Sequence, residues 1–92
     1  MSNKLIFRKH ALQRMFQRSI STADVGAVLI EGKCIIAYPG DTPYPSRLVL
    51  GWRGERPIHI VAADTPENET IIITVYEPDP MLWEPGFERK KP

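Results

Sequence analysis

Ninety-two residues, 42% of them hydrophobic and 25% charged, make one small domain, residues 1–92, with a modest core. No apolar run approaches the ~20 residues that span a bilayer, and no N-terminal apolar segment reads as a signal peptide. The single cysteine, Cys34, excludes an internal disulfide, so a cytoplasmic protein is expected. The net charge of +1 hides an asymmetry: residues 1–23 hold five basic and no acidic residues, and the remainder seven basic and eleven acidic. A chain of this kind suits a local contact with a polyanion better than a wholly basic nucleic-acid coat.

In chain order, Leu5-Ile6-Phe7 reads as a short lead-in. Arg8 to Arg18 is a basic amphipathic helix. At about 100° per residue, His10, Arg14, Gln17 and Arg18 cluster on one side, and Leu12, Met15 and Phe16 on the other. Imidazole titrates near neutrality, and guanidinium matches phosphate with its planar fork. A stripe of this kind serves a phosphate binder or metal-free phosphodiester chemistry; equally, it is an ordinary solvated basic face. Ser21 or Thr22 caps a second helix, with Asp24 in its first turn and Val25, Val28 and Leu29 at helical spacing. Gly32 reads as its C-terminal stop. Residues 8–31 are thus a helical pair.

Periodicity then changes. Four strands are expected over 34–38, 47–52, 57–63 and 70–76, with Cys34 as a small core residue. Short connections favour an antiparallel meander over 34–77. The expected fold is therefore α+β: two N-terminal helices packed on one face of a four-stranded antiparallel sheet. Residues 78–92 form a proline-rich tail in which Leu82, Trp83 and Phe87 either pack back or await a partner.

A symmetric 64–69 hairpin loop pairs Ala63 with Thr70 and His59 with Thr74. Ile58, Ile60 and Ala62 then share the helix-side face with Ile71, Ile73 and Val75. His59, Val61, Thr74 and Tyr76 share the other. A one-residue bulge inverts this sorting. Arg47 falls on the Ile60 face with a two-residue turn after it, or beside His59 with an added bulge. A His- and Tyr-bearing face fits RNA, whose bases stack on aromatics; a lone His in a strand is also an ordinary structural residue. Metal-ligand spacing, a phosphate-cradling glycine loop and a G-x-S-x-G motif are all missing, so no cofactor and no metal are expected.

The motif His10-x3-Arg14-x3-Arg18-x-Ile20, followed by Asp24-Val25, Leu29 and Gly32, resembles the opening of a widespread prokaryotic family of small domains. Ile73-Thr74-Val75-Tyr76, then Pro78-Asp79 and Leu82-Trp83, resembles its closing signature. The resemblance runs from about His10 to Phe87. That family is similar in fold to the RelE/ParE toxins of the barnase–EndoU–colicin–RelE-like group, and its members appear beside zinc-finger antitoxins resembling the partner of the MqsR toxin. The resemblance implies a RelE/barnase-like fold and a toxin of a toxin–antitoxin pair, with RNA as substrate and a cognate antitoxin as partner.

The implied activity is metal-independent RNA cleavage through the ribose 2′-OH. His10 is the first candidate for proton transfer and His59 the second. Arg14 and Arg18 would hold the phosphate and offset transition-state charge. Arg47, Thr74 and Tyr76 are RNA-binding candidates. The alternative is a non-catalytic RNA- or protein-binding module, including a ParE-like inhibitor of a protein target.

Overall fold

The computed structural model describes residues 4–92. Seven elements follow in order: β1 Lys4–Phe7, α1 Lys9–Arg18, α2 Thr22–Glu31, β2 Lys33–Tyr38, β3 Ser46–Arg53, β4 Arg56–Asp64 and β5 Glu69–Tyr76. α1 stops where Ser19 turns left-handed (φ 55°) and the Ser19 and Ile20 amides bond back to the Phe16 and Met15 carbonyls. α2 starts immediately afterwards with a reciprocal cap. The Asp24 amide donates to Ser21 Oγ at 3.0 Å, and the Ser21 amide donates to Asp24 Oδ2 at 2.9 Å. The backbone hydrogen bond from Ser21 holds the Asp24 carboxyl below its ordinary pKa, with help from the Ser21 hydroxyl and Arg53.

The sheet corrects the expected architecture. It has five strands, not four, in the order β1-β5-β4-β3-β2, and it is mixed, because β1 runs parallel to β5. The class remains α+β. The extra strand is the Leu5-Ile6-Phe7 lead-in. At four residues it carries no alternating pattern, and its partner lies at the other end of the sheet-forming sequence, so no hairpin signal announces it. Pairing with β1 places β5 inside the sheet and leaves β1 and β2 as the edges.

Both helices share one core with one face of this sheet. α1 contributes Ala11 and Met15, α2 contributes Val25 and Val28, and the sheet contributes Val49, Ile58, Ile60, Ala62, Ile72 and Val75. α1 lies on β5, while α2 lies on β3 and β4. Two glycines permit the second contact. A Cβ at Gly51 would sit 2.6 Å from Val28 Cγ1, and one at Gly32 would sit 2.3 Å from the Val28 carbonyl oxygen. Gly32 follows α2 in extended conformation (φ −78°), so close approach rather than a left-handed turn is what requires glycine there.

The β4–β5 hairpin pairs Asp64 with Thr70 and Ala63 with Ile71, then slips by one residue between Val61 and Ala62. Beyond the slip, His59 pairs with Tyr76 and Ile60 with Val75. The expected sorting of faces therefore holds at the far end and is inverted near the hairpin. Ile72, not Ile71 or Ile73, joins the core.

The tail folds back on the other face. The Asp79 carbonyl accepts from the Leu82 and Trp83 amides, and an isolated bridge joins Trp83 to Lys90. Trp83 is buried at 6% exposure. Cys34, expected in the core, is exposed on edge strand β2, and its thiol donates to the Ile36 carbonyl at 3.6 Å across the register slip between the two residues.

Candidate functional site

α1 is basic because nothing acidic stands within it, and it is held because Ala11 and Met15, four residues apart, press onto the sheet. His10, Arg14 and Arg18 are exposed. No hydrogen bond or ion pair engages their side chains among the described residues. The N-terminus of α1 has no side-chain cap and no acidic residue in its first turn, so the positive end of the helix dipole lies beside Arg8, Lys9 and His10. The stripe is a fixed row of an imidazole and two guanidiniums open to an anion.

The apolar side of α1 departs from the expected pattern. Ala11 and Met15 carry the buried contact, while Leu12 is 46% and Phe16 88% exposed. Spacing does not point to Ala11, because alanine weighs little in a hydrophobic pattern. It centres the buried face away from Leu12 and Phe16.

Arg47 lies on the same face of the sheet as α1. Register places Arg47, Ala62, Ile72 and Phe7 on one cross-sheet row. α1 starts at that row, where the Arg8 amide donates to the Ile72 carbonyl at 3.2 Å. β3 is two strand spacings, about 10 Å, from β5. The turn between Arg53 and Arg56 has two residues, so Arg47 takes the Ile60 face. Its guanidinium donates to Asp64, whose other oxygen accepts from the Thr70 hydroxyl at 2.7 Å.

His59, Thr74 and Tyr76 lie on the opposite face, away from α1. His59 is 0% exposed. Its Nε2–H donates to the Phe87 carbonyl at 2.9 Å, and Nδ1 accepts from the Tyr76 hydroxyl at 3.2 Å. A carbonyl can only accept, so the neutral Nε2–H tautomer satisfies both bonds. Trp83 stands edge-on to the imidazole with ring centroids 4.5 Å apart. Burial pushes the His59 pKa below its ordinary value, against the Phe87 bond, which raises it. Burial likewise raises the Tyr76 phenol, and Tyr38 adds to that. Thr74 is half-buried opposite Val61. This is a sealed polar contact that fastens the tail, and it is separate from the α1 stripe.

One connecting residue left no mark in the sequence. Arg56 donates through Nη2 to the Arg18 carbonyl at 2.6 Å and to Glu77 Oε1 at 2.6 Å. It joins the end of α1 to β4 and to the residue after β5. Asp24 pairs with Arg53 at 3.0 Å and, among the described residues, with no arginine of α1. Among the described residues no three His, Cys, Asp or Glu side chains gather as a metal site, and no helix is long and apolar enough to cross a membrane.

No curated protein and no solved structure matches this chain. A family model does: the one described as "Domain of unknown function (DUF4258)" matches residues 7–77. That span takes in both helices, four whole strands and the last residue of β1. The chain therefore belongs to the DUF4258 family.

Proposed function

We propose that this domain acts on RNA as a toxin-type, metal-independent endoribonuclease, held on the RNA backbone by α1. The observation that carries the reading is the stripe of His10, Arg14 and Arg18: exposed, unpaired among the described residues, and fixed by the adjoining buried side of Ala11 and Met15. The choice of RNA rests on the resemblance of this motif to a family of small domains similar in fold to the RelE/ParE toxins. Of the two histidines, His10 alone is open to solvent. His10 takes the 2′-OH proton, the 2′-oxygen attacks phosphorus, and the 5′-oxygen leaves with a proton from protonated His10 or water. The products are a 2′,3′-cyclic phosphate and a 5′-hydroxyl. Arg14 and Arg18 offset charge on the phosphorane, and Arg47 reaches the backbone only by exchanging Asp64 for a phosphate. A cognate antitoxin, of zinc-finger type in the related gene pairs, would restrain this activity.

A second reading, binding without cleavage, is favoured by the dispersal of the other candidates. His59, Thr74 and Tyr76 face away from α1, and no hydrogen bond or ion pair joins the His10 side chain to a second group among the described residues. Induced expression of wild type, His10→Ala and Arg14→Ala, with growth and RNA 5′-end mapping, separates the two. New 5′-hydroxyl ends that vanish in both variants at equal soluble protein are the expected result. RNA binding without new ends in any of them establishes the binding module. Growth arrest with neither RNA binding nor new ends points to a protein target.

A further inference from the structure

Phe16 is the most exposed aromatic side chain on the helix that carries the cations, at 88%. With Lys9, Leu12, Gln13 and Gln17 it lines one shallow groove. At about 100° per residue, the solvent side of α1 reads across as Phe16, Lys9, Gln13, Gln17, His10, Arg14. An aromatic ring stands at one margin, two amides and an ammonium in the middle, and the phosphate-matching groups at the other. Residues 1–23 contain no carboxylate to oppose an anion.

We infer that Phe16 is a stacking platform for an unpaired base, so that the partner of α1 is single-stranded RNA. The inference rests on the RNA reading above and deepens it. Size decides against a protein occupant. A helix laid in a groove needs anchors at i, i+3, i+4 and i+7, and a stable protein contact buries ~800 Å² on each side. Phe16 and Leu12 together supply only a fraction of that, since one whole aromatic side chain buries ~150–250 Å². A single base covers such a ring completely. The Gln13 and Gln17 amides offer donors and acceptors to its edge, Lys9 meets the nearest phosphate, and phosphates further along the strand reach the His10–Arg14 margin. Duplex RNA keeps its bases stacked internally and cannot use the ring.

The test is fluorescence anisotropy with a labelled single-stranded RNA of about ten nucleotides, the same RNA with one abasic site at each position in turn, and a duplex. Proteins are wild type, Phe16→Ala, Phe16→Trp and Arg14→Ala. Phe16→Ala should weaken binding of the single strand roughly 5- to 150-fold with an unchanged salt slope. Phe16→Trp should restore it and show quenched indole emission. At least one abasic site should cost wild type affinity and leave Phe16→Ala indifferent. Arg14→Ala should lower the salt slope instead. Phe16 is almost free of contacts, so its variants keep the fold, which thermal unfolding checks. Equal binding by wild type and Phe16→Ala, with Arg14→Ala weakened, overturns the platform and spares the RNA reading. Equal affinity for the duplex also overturns it. Binding to no RNA overturns both. An acidic amphipathic peptide that binds in a Phe16-dependent way while RNA does not would assign the groove to a protein.

Discussion

Lowering the pH should loosen this fold through His59, and substitution isolates that effect. The imidazole is buried and neutral between Tyr76 and the Phe87 carbonyl. Its folded pKa lies below the ordinary 6.5 because burial disfavours the charged form. Well above pH 6.5 both folded and unfolded states hold a neutral ring, and stability is unaffected. Below it the unfolded chain takes a proton that the folded state refuses, so stability falls as pH falls. The limiting slope is about 1.4 kcal/mol per pH unit. Integrated from neutrality to pH 5 the loss reaches up to about 2 kcal/mol, ending sooner if the folded pKa is met on the way. His59→Gln keeps one donor for Phe87 and one acceptor for Tyr76 but cannot be protonated. Urea unfolding of both proteins from pH 8 to 5 gives the comparison. The difference in unfolding free energy, wild type minus variant, should be constant above pH 7.5 and drop below 6.5. Parallel curves across the whole range would show that His59 is not held neutral by the fold.

Gly51→Ala should cost about 1–3 kcal/mol in thermal unfolding, because its Cβ would overlap the buried Val28 and drive α2 off β3; an unshifted midpoint would mean that α2 yields freely. Trp83→Ala should cost about 3–5 kcal/mol in urea unfolding and bring the His59 titration, followed by NMR, closer to 6.5; a loss under 1 kcal/mol would mean that the tail adds little to the fold. Arg56→Ala should cost about 1–2 kcal/mol and speed amide exchange in the last turn of α1, since it removes a cation from the helix's carbonyl end and leaves Glu77 unpaired. Arg56→Lys should recover only part, because one ammonium replaces a fork that serves two partners.

The parts of this fold visible in the sequence are those that local rules govern. α1 and α2 follow from spacing and from the Ser21–Asp24 cap, and β3, β4 and β5 fall within a residue of their expected bounds. β1 was hidden because its evidence is entirely non-local: four residues become a strand only when β5 lies beside them. The inverted faces near the β4–β5 hairpin come from one slipped residue, which no residue type at Val61, Ala62 or Ile73 announces. For the candidate site, the exposure of His10, Arg14 and Arg18 was readable from helical phase. The fate of His59 was not, because the groups that bury it, Trp83 and Phe87, arrive from a tail whose prolines suppress every periodic signal.

The parallel β1–β5 pair fixes an order of events in the life of the chain. α1 leaves the ribosome well before the strand it lies on, which begins only at Glu69. Until β5 has emerged, Ala11 and Met15 have no surface to cover and β1 has no neighbour, so the basic helix cannot be fixed in its mature orientation. The hairpins from β2 to β5 close over short loops, whereas the N-terminal segment pairs across the longest loop in the domain, whose closure costs more entropy. A chain that stops short of β5 therefore carries all the cations of α1 but no platform to hold them in register. Synthesis itself delays the moment at which this helix is fixed on the sheet.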